Sequence, residues 1–113
     1  KTIIDSVLGD DECQALPTVI EAGGRYHMIF CYRECFDFRS QHGRGYRLGY
    51  ASSVDLLNWN RDDSQVAQLS SEGEWDSEMQ CYPHLFRCEG KVYLLYNGNA
   101  FGKEGFGLAE MML

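Results

Sequence analysis

Proline is scarce in this 113-residue chain, with two in all, and cations are outnumbered: ten lysines and arginines face seventeen aspartates and glutamates. The formal charge of −7 excludes a nucleic-acid binder, because gripping phosphates needs clustered Lys and Arg. No apolar run reaches the ~20 residues of a membrane-spanning helix, and no basic-then-apolar leader opens the chain. The absence of an initiator Met is read as a trimmed or internal start. The five cysteines (13, 31, 35, 81 and 88) include no Cys-x-x-Cys pair. They read as buried or half-buried thiols in a reducing, cytoplasmic compartment, with a disulfide or metal pair at Cys31 and Cys35 as the sharper alternative. His27, His42 and His84 form no ligand pair, Gly43-x-Gly45 and Gly102-x-x-Gly105-x-Gly107 read as turn and strand glycines rather than a phosphate loop, and no serine-nucleophile motif occurs. No metal and no cofactor are therefore expected. No window carries amphipathic helix periodicity.

What is present is apolar material and repetition. Hydrophobic residues make up 44% and aromatics 13% of the chain, enough to pack one core of ordinary size. Asp10-Asp11-Glu12-Cys13-Gln14-Ala15-Leu16-Pro17 returns 66 residues later as Asp76-Ser77-Glu78-Met79-Gln80-Cys81-Tyr82-Pro83, with Asp, Glu, Gln and Pro at the same places. In the same register Gly24-Arg25 falls on Gly90-Lys91, and residues 26–30 fall on 92–96. Gly49-Tyr50-Ala51 matches Gly107-Leu108-Ala109 at an offset of 58, so the first copy carries an eight-residue insertion within 34–45.

Each copy reads as β structure. Residues 26–32 are aromatic and branched after a Gly-Gly turn, and largely apolar on both faces, as strands covered on two sides are. Pro17 and Pro83 fit strand starts. The expected strands are 16–21, 25–33, 46–52 and 65–69 in the first copy, and 82–87, 91–97 and 105–112 in the second. The fold class expected is all-β: two four-stranded antiparallel units in tandem, the pattern of propeller blades. Residues 10–71 form the first blade and 76–113 a second blade lacking its outer strand. Residues 1–8, with Thr2-Ile3-Ile4, are expected as the outer strand of a neighbouring blade.

Ser52-Ser53-x-Asp55-Leu56-x-Asn58-Trp59 after a Gly-Tyr-Ala strand resembles blades of the five-bladed β-propeller glycoside hydrolase superfamily, which includes arabinanases, xylosidases, invertases, levansucrases and mannoside phosphorylases. Tyr96-Asn97-Gly98-Asn99-x-Phe101-Gly102-x-x-Gly105-Phe106-Gly107-Leu108-Ala109 is similar to C-terminal blades of the same group. The resemblance implies a glycoside-cleaving or glycan-binding protein. It also implies that about two blades are a piece of a longer propeller or the unit of a homo-oligomeric ring, since open blade faces invite association.

Candidate site residues follow from the repeat. Asp-x-Glu-x-Gln-x-x-Pro leads into the innermost strand of each blade, so Glu12 and Glu78 are expected at one shared mouth. Glycoside cleavage needs one protonated and one ionised carboxyl group, and two neighbouring glutamates push each other's pKa values apart. The superfamily's general acid, a Glu ahead of a Pro near an inner strand, points by resemblance to Glu12 or Glu78; Asp76 and Asp10 are weaker candidates for the base. The bland alternative is that these residues are turn and ladder caps, which repetition itself favours. Gln14, Gln80, His84, Asn97 and Asn99 are expected to contact the carbohydrate. Arg33, Asp37 and Arg39 are expected to do so from the inserted loop, or to form an ion pair there of little worth.

Overall fold

The computed structural model describes residues 1–37, 45–67, 69 and 74–113. Among the described residues seven strands form two antiparallel sheets. The first sheet runs in sequence order through β1 (Glu12–Ala22), β2 (Arg25–Glu34), β3 (Arg47–Ser53) and β4 (Asn60–Arg61). The second runs through β5 (Cys81–Cys88), β6 (Lys91–Asn97) and β7 (Phe106–Met111). Among the described residues no helix is long and apolar enough to cross a membrane.

The sequence repeat is repeated in backbone geometry. The β1–β2 ladder slips between Ala15 and Thr18, and the β5–β6 ladder slips between Cys81 and His84, 66 residues on. Inside each slip one residue is left-handed, Leu16 at φ +55° and Tyr82 at φ +54°. Pro17 and Pro83 follow them. The prolines thus occupy bulges inside the strands rather than the strand starts expected. A bulge leaves a residue out of the ladder, so the missing N–H costs nothing there. The hairpin turns match too: Gly23 and Gly24 at φ +60° and +76°, Glu89 and Gly90 at φ +49° and +77°. Two successive positive φ values twist a two-residue turn to suit the strands it joins.

One expectation fails. Residues 65–67 and 69 do not form the outer strand of the first blade; residue 68 lies outside the described residues. Asn60–Arg61 takes that place, and Ser64–Ala67 winds a single helical turn, α1. The cause is turn chemistry. The Asp62 carboxylate accepts from Ser64 Oγ (2.5 Å) and Gln65 Nε2 (3.0 Å), while the Gln65 and Val66 amides donate to the Asp62 and Asp63 carbonyls. Val66 then plugs the core from the turn. Residues 1–8 form no strand within the chain. They lie on the first sheet, where Ile4 packs with Met28, Phe30, Ala51 and Trp59.

The main core lies between the sheets. Ile29, Cys31, Leu48 and Tyr50 from the first meet Cys81, Leu85, Leu94 and Tyr96 from the second. Leu85 N donates to Thr18 Oγ1 (3.1 Å), and the Arg87 guanidinium donates to the Glu21 carbonyl. Both contacts advance in the same direction, so β1 and β5 run side by side with one sense, as the leading strands of successive blades do. His27 is structural, as expected: its ring bonds Tyr50 Oη (2.6 Å) and the Ala22 carbonyl (2.9 Å).

Candidate functional site at the leading ends of the inner strands

The starts of β1 and β5 lie at one end of the molecule. Gln14 pairs with Tyr32, and Tyr32 with Arg47. Gln80 N donates to the neighbouring Tyr46 carbonyl (2.9 Å), and the Arg47 guanidinium donates to the Glu78 carbonyl. The two Asp-x-Glu-x-Gln segments therefore lie at one end of the molecule, linked through Tyr32 and Arg47. Their carboxylates meet different surroundings.

Glu12 is enclosed. Its Oε1 accepts from the Val7 and Leu8 amides (3.1 and 3.2 Å), and its Oε2 from Gln14 Nε2 (2.7 Å) and Arg61 Nη1 (2.8 Å). The Arg61 and Glu12 side chains are 7% and 0% exposed. Burial alone would raise the Glu12 carboxyl, but the bonds from Arg61, Gln14 and Val7 outweigh it and hold the group below its usual range. Arg61 also grips Asp63 (Nη2 to Oδ2 2.9 Å) and lies over the Phe30 and Tyr32 rings at 5.0 and 4.5 Å. A charged, fully bonded carboxylate suits a scaffold or a base; it has no proton to give.

Asp76 is buried, with its Oδ2 accepting from Tyr96 Oη (2.9 Å) and Gln80 Nε2 (3.2 Å). Burial and the Asp76 bond push the Tyr96 phenol well above its usual value, so it stays a donor. Trp75 stacks on Tyr96 at 5.4 Å and covers Gly107, where a Cβ would come within 2.4 Å of the indole. Asp10, the counterpart of Asp76, is exposed.

Glu78 is the exposed member of the set. Asn99 Oδ1 accepts from the Glu78 and Met79 amides (2.8 and 2.9 Å), while Asn99 Nδ2 donates to the Glu74 carbonyl (3.2 Å). Asn99 is thus a buried clamp that fixes the Glu78 backbone. It opens a one-turn segment, α2 (Asn99–Gly102), in which Ala100 and Phe101 take left-handed φ of +54° and +55°. That turn holds the Phe101 ring beside Tyr82 and Tyr46, at 6.4 and 6.2 Å, and the Arg33 guanidinium lies 5.1 Å over Tyr46. An aromatic rim results.

The remaining expected contacts divide. Gln14 is exposed at the mouth, and Asn97 ends β6 there. Gln80 lines a cleft of about 390 Å³ that mixes the polar Arg47 and Asp63 with the apolar Leu48 and Val66. Arg33 Nη1 donates to the Glu34 and Cys35 carbonyls (3.0 and 3.2 Å), and Asp37 is exposed with φ +60°. Arg39, His42 and Gly43 lie outside the described residues. His84 stacks on Phe86 at 6.0 Å. It alternates with the core-facing Cys81 and Leu85 along β5, so it looks away from the first sheet and not into the cleft. No group of three or more His, Cys, Asp or Glu side chains suited to a metal occurs among the described residues.

Arg61, Arg47 and Asp63 escaped the sequence reading. The second copy stops before the counterparts of Arg61 and Asp63, and Gly105 stands at the counterpart of Arg47, so the repeat carried no signal for them. The Ser53–Trp59 motif proves to be a knot of turn bonds. Ser53 Oγ accepts from the Asp55 and Leu56 amides, Asp55 Oδ1 accepts from the Leu57 and Asn58 amides, and Trp59 Nε1 donates to the Leu56 carbonyl.

The chain matches no protein-family model. It is similar to an uncharacterized protein of Mycobacterium tuberculosis in two strains, at 35% identity over 108 residues. That match takes in 96% of the chain but 33% of the relative, so the chain spans about a third of the length of the curated relatives it matches. Among solved structures it is similar to a family 117 glycoside hydrolase of the marine bacterium Zobellia galactanivorans, with a TM-score of 0.74 and 15% identity, covering 96% of this chain and 38% of that one. It is similar too to an exo-1,5-alpha-L-arabinanase from a bovine ruminal metagenomic library, with a TM-score of 0.63 and 12% identity, covering 97% and 39%. A thermostable family-43 glycoside hydrolase gives a TM-score of 0.54 at 19% identity, covering 96% and 32%. The fold of this chain is that of part of a glycoside hydrolase β-propeller.

Proposed function

We propose that the chain supplies part of a carbohydrate-active propeller whose ligand rests at the mouth shared by β1 and β5. Glu78 is its proton-donating carboxyl group. The observation that carries this reading is the exposure of Glu78 on a backbone clamped by Asn99, in the turn that also carries Phe101. Aromatic faces stack on sugar rings, and polar ends fix hydroxyl groups. The Tyr46, Tyr82 and Phe101 rim is the platform in this reading. Arg33, Asp37, Gln14, Asn97 and, from the adjoining cleft, Gln80 supply hydrogen bonds. Glu12 and Asp76, both enclosed, hold the mouth in shape. The second carboxylate that glycoside cleavage requires comes from outside the described residues, either from the rest of a longer propeller or from a second copy. Cys31 and Cys81, buried as thiols, support a reducing, cytoplasmic setting.

A second reading, binding without cleavage, is favoured by one observation: the Glu12 and Asp76 carboxylates are already engaged by the protein. An aryl-glycoside panel and a glycan array separate the two. Turnover that falls about 100-fold in Glu78→Gln, with glycan binding kept, supports the enzyme. Glycan binding without turnover supports the binding module. A protein that neither binds nor cleaves any glycan overturns both.

A further inference from the structure

The alternative pairing of Cys31 with Cys35 does not occur. The Cys31 thiol is buried against the Ala15 carbonyl (3.5 Å). Cys35 meets Cys13 instead, with the sulfurs 2.7 Å apart and both residues half-buried. The ladder explains why. Cys13 stands opposite Arg33, and Cys35 follows two residues further along the same edge, so all three side chains share a face. The Cys35 amide donates to the Asp11 carbonyl (2.7 Å), which adds a last rung and fixes Cys35 in place. The other thiols are differently disposed. Burial, with Cys31 nearby, pushes the Cys81 thiol up to about 12, and Cys88 is exposed at the far end of β5.

We propose that Cys13 and Cys35 form a redox-active pair that closes to an intramolecular disulfide when the reduced protein meets a small-molecule disulfide such as oxidised glutathione. One thiolate attacks a glutathione sulfur, and one reduced glutathione leaves. The second thiolate attacks the protein sulfur of that mixed disulfide, the Cys13–Cys35 bond forms, and the second reduced glutathione leaves. Two protein thiols lose two protons and two electrons, and the oxidant takes up both electrons. The bond joins the start of β1 to the chain just beyond β2, on either side of Glu12 and beside the Arg33–Tyr46 stack. It is a switchable staple at the rim. The hydrogen bond to Cys13, burial and the nearby Asp11 raise the Cys35 thiol, so closure speeds up as pH rises. The proposal stands on the ladder alone and does not depend on a sugar ligand.

The test is a titration of the reduced 113-residue chain with glutathione redox buffers, read by intact mass and non-reducing peptide mapping. The expected product has lost two hydrogens and joins the Cys13 peptide to the Cys35 peptide. Cys13→Ser and Cys35→Ser each abolish the link. The link forms at least about ten times more readily in native buffer than in guanidinium, because the fold supplies the effective concentration. Glutathione adducts that persist on Cys13 or Cys35, or links that run through Cys88 or between molecules, would overturn it. The wild-type map decides the matter even if a serine variant does not fold.

Discussion

Four donors converge on the Glu12 carboxylate, and Arg61, one of the four, binds Asp63 as well. Removing the carboxylate leaves an enclosed guanidinium short of charge. Breaking a buried pair from one side is costly. Glu12→Ala should lose about 3 kcal/mol of unfolding free energy, read from urea denaturation. The acid limb should respond as well. The folded state holds the Glu12 carboxyl below its ordinary value of 4.5. Its contribution is therefore complete above that pH and is lost as pH falls through the lower folded value. Wild type should lose stability more steeply below pH 4.5 than Glu12→Gln; parallel curves in acid urea titrations would contradict the pairing. The sequence held half of this cluster. Glu12 and Gln14 showed in the repeat, whereas their bond to each other and the role of Arg61 did not. Arg61 lies 49 residues from Glu12, at the opposite edge of the sheet, and its long side chain reaches Glu12 across the Phe30 and Tyr32 rings of β2.

At the scale of elements, the repeat is a record of backbone needs. Pro17 and Pro83 recur because a bulge spares their missing N–H. Gly24 and Gly90 recur because each turn needs a left-handed residue there. Glu89 occupies the other left-handed turn position, where its side chain is strained. Glu89→Asn should stabilise the fold by about 0.5 kcal/mol, seen as a higher urea midpoint. Gly49 answers to a different need: a Cβ there would come within 2.4 Å of the Phe30 ring, which is wedged beneath Arg61. Gly49→Ala should cost about 2 kcal/mol by overpacking, and the Trp59 fluorescence should shift as its neighbours Met28, Phe30 and Ala51 move. Turn pattern and apolar run thus made the hairpins legible. Residues 65–69 misled although Val66 and Leu69, three apart, carry the spacing of a helical turn and not of a strand. The Asp62-Asp63-Ser64 bonds that wind α1 are local chemistry, and it overrides β propensity. Asn99 misled in the other direction. An Asn beside a Gly reads as an exposed polar contact, but its amide is consumed in clamping Glu78 and Glu74.

The whole molecule is a slab, 41 × 33 × 18 Å. Its thinness follows from the single sheet-to-sheet interface among the described residues. The face of the first sheet away from that interface is partly covered by residues 1–8. The corresponding face of the second sheet is open: Phe106, Leu108 and Met112 are 73%, 59% and 88% exposed, and His84, Phe86 and Tyr93 stack beside them. An apolar sheet face of this kind is ordinarily covered by another surface, and the relatives, three times as long, have chain enough to cover it. Studied alone, the 113-residue chain should self-associate through this face. Sedimentation across a micromolar concentration series should give a weight-average mass that climbs with concentration. Phe106→Asp with Leu108→Asp should return it to the monomer mass without loss of the β circular dichroism signal, because both side chains point away from the core. The double variant probes the face without touching the mouth residues Glu78, Asn99 or Tyr82. Wild type that stays monomeric throughout would mean that the open face is tolerated by the chain as it stands, and that the packing between the two sheets alone sustains the fold.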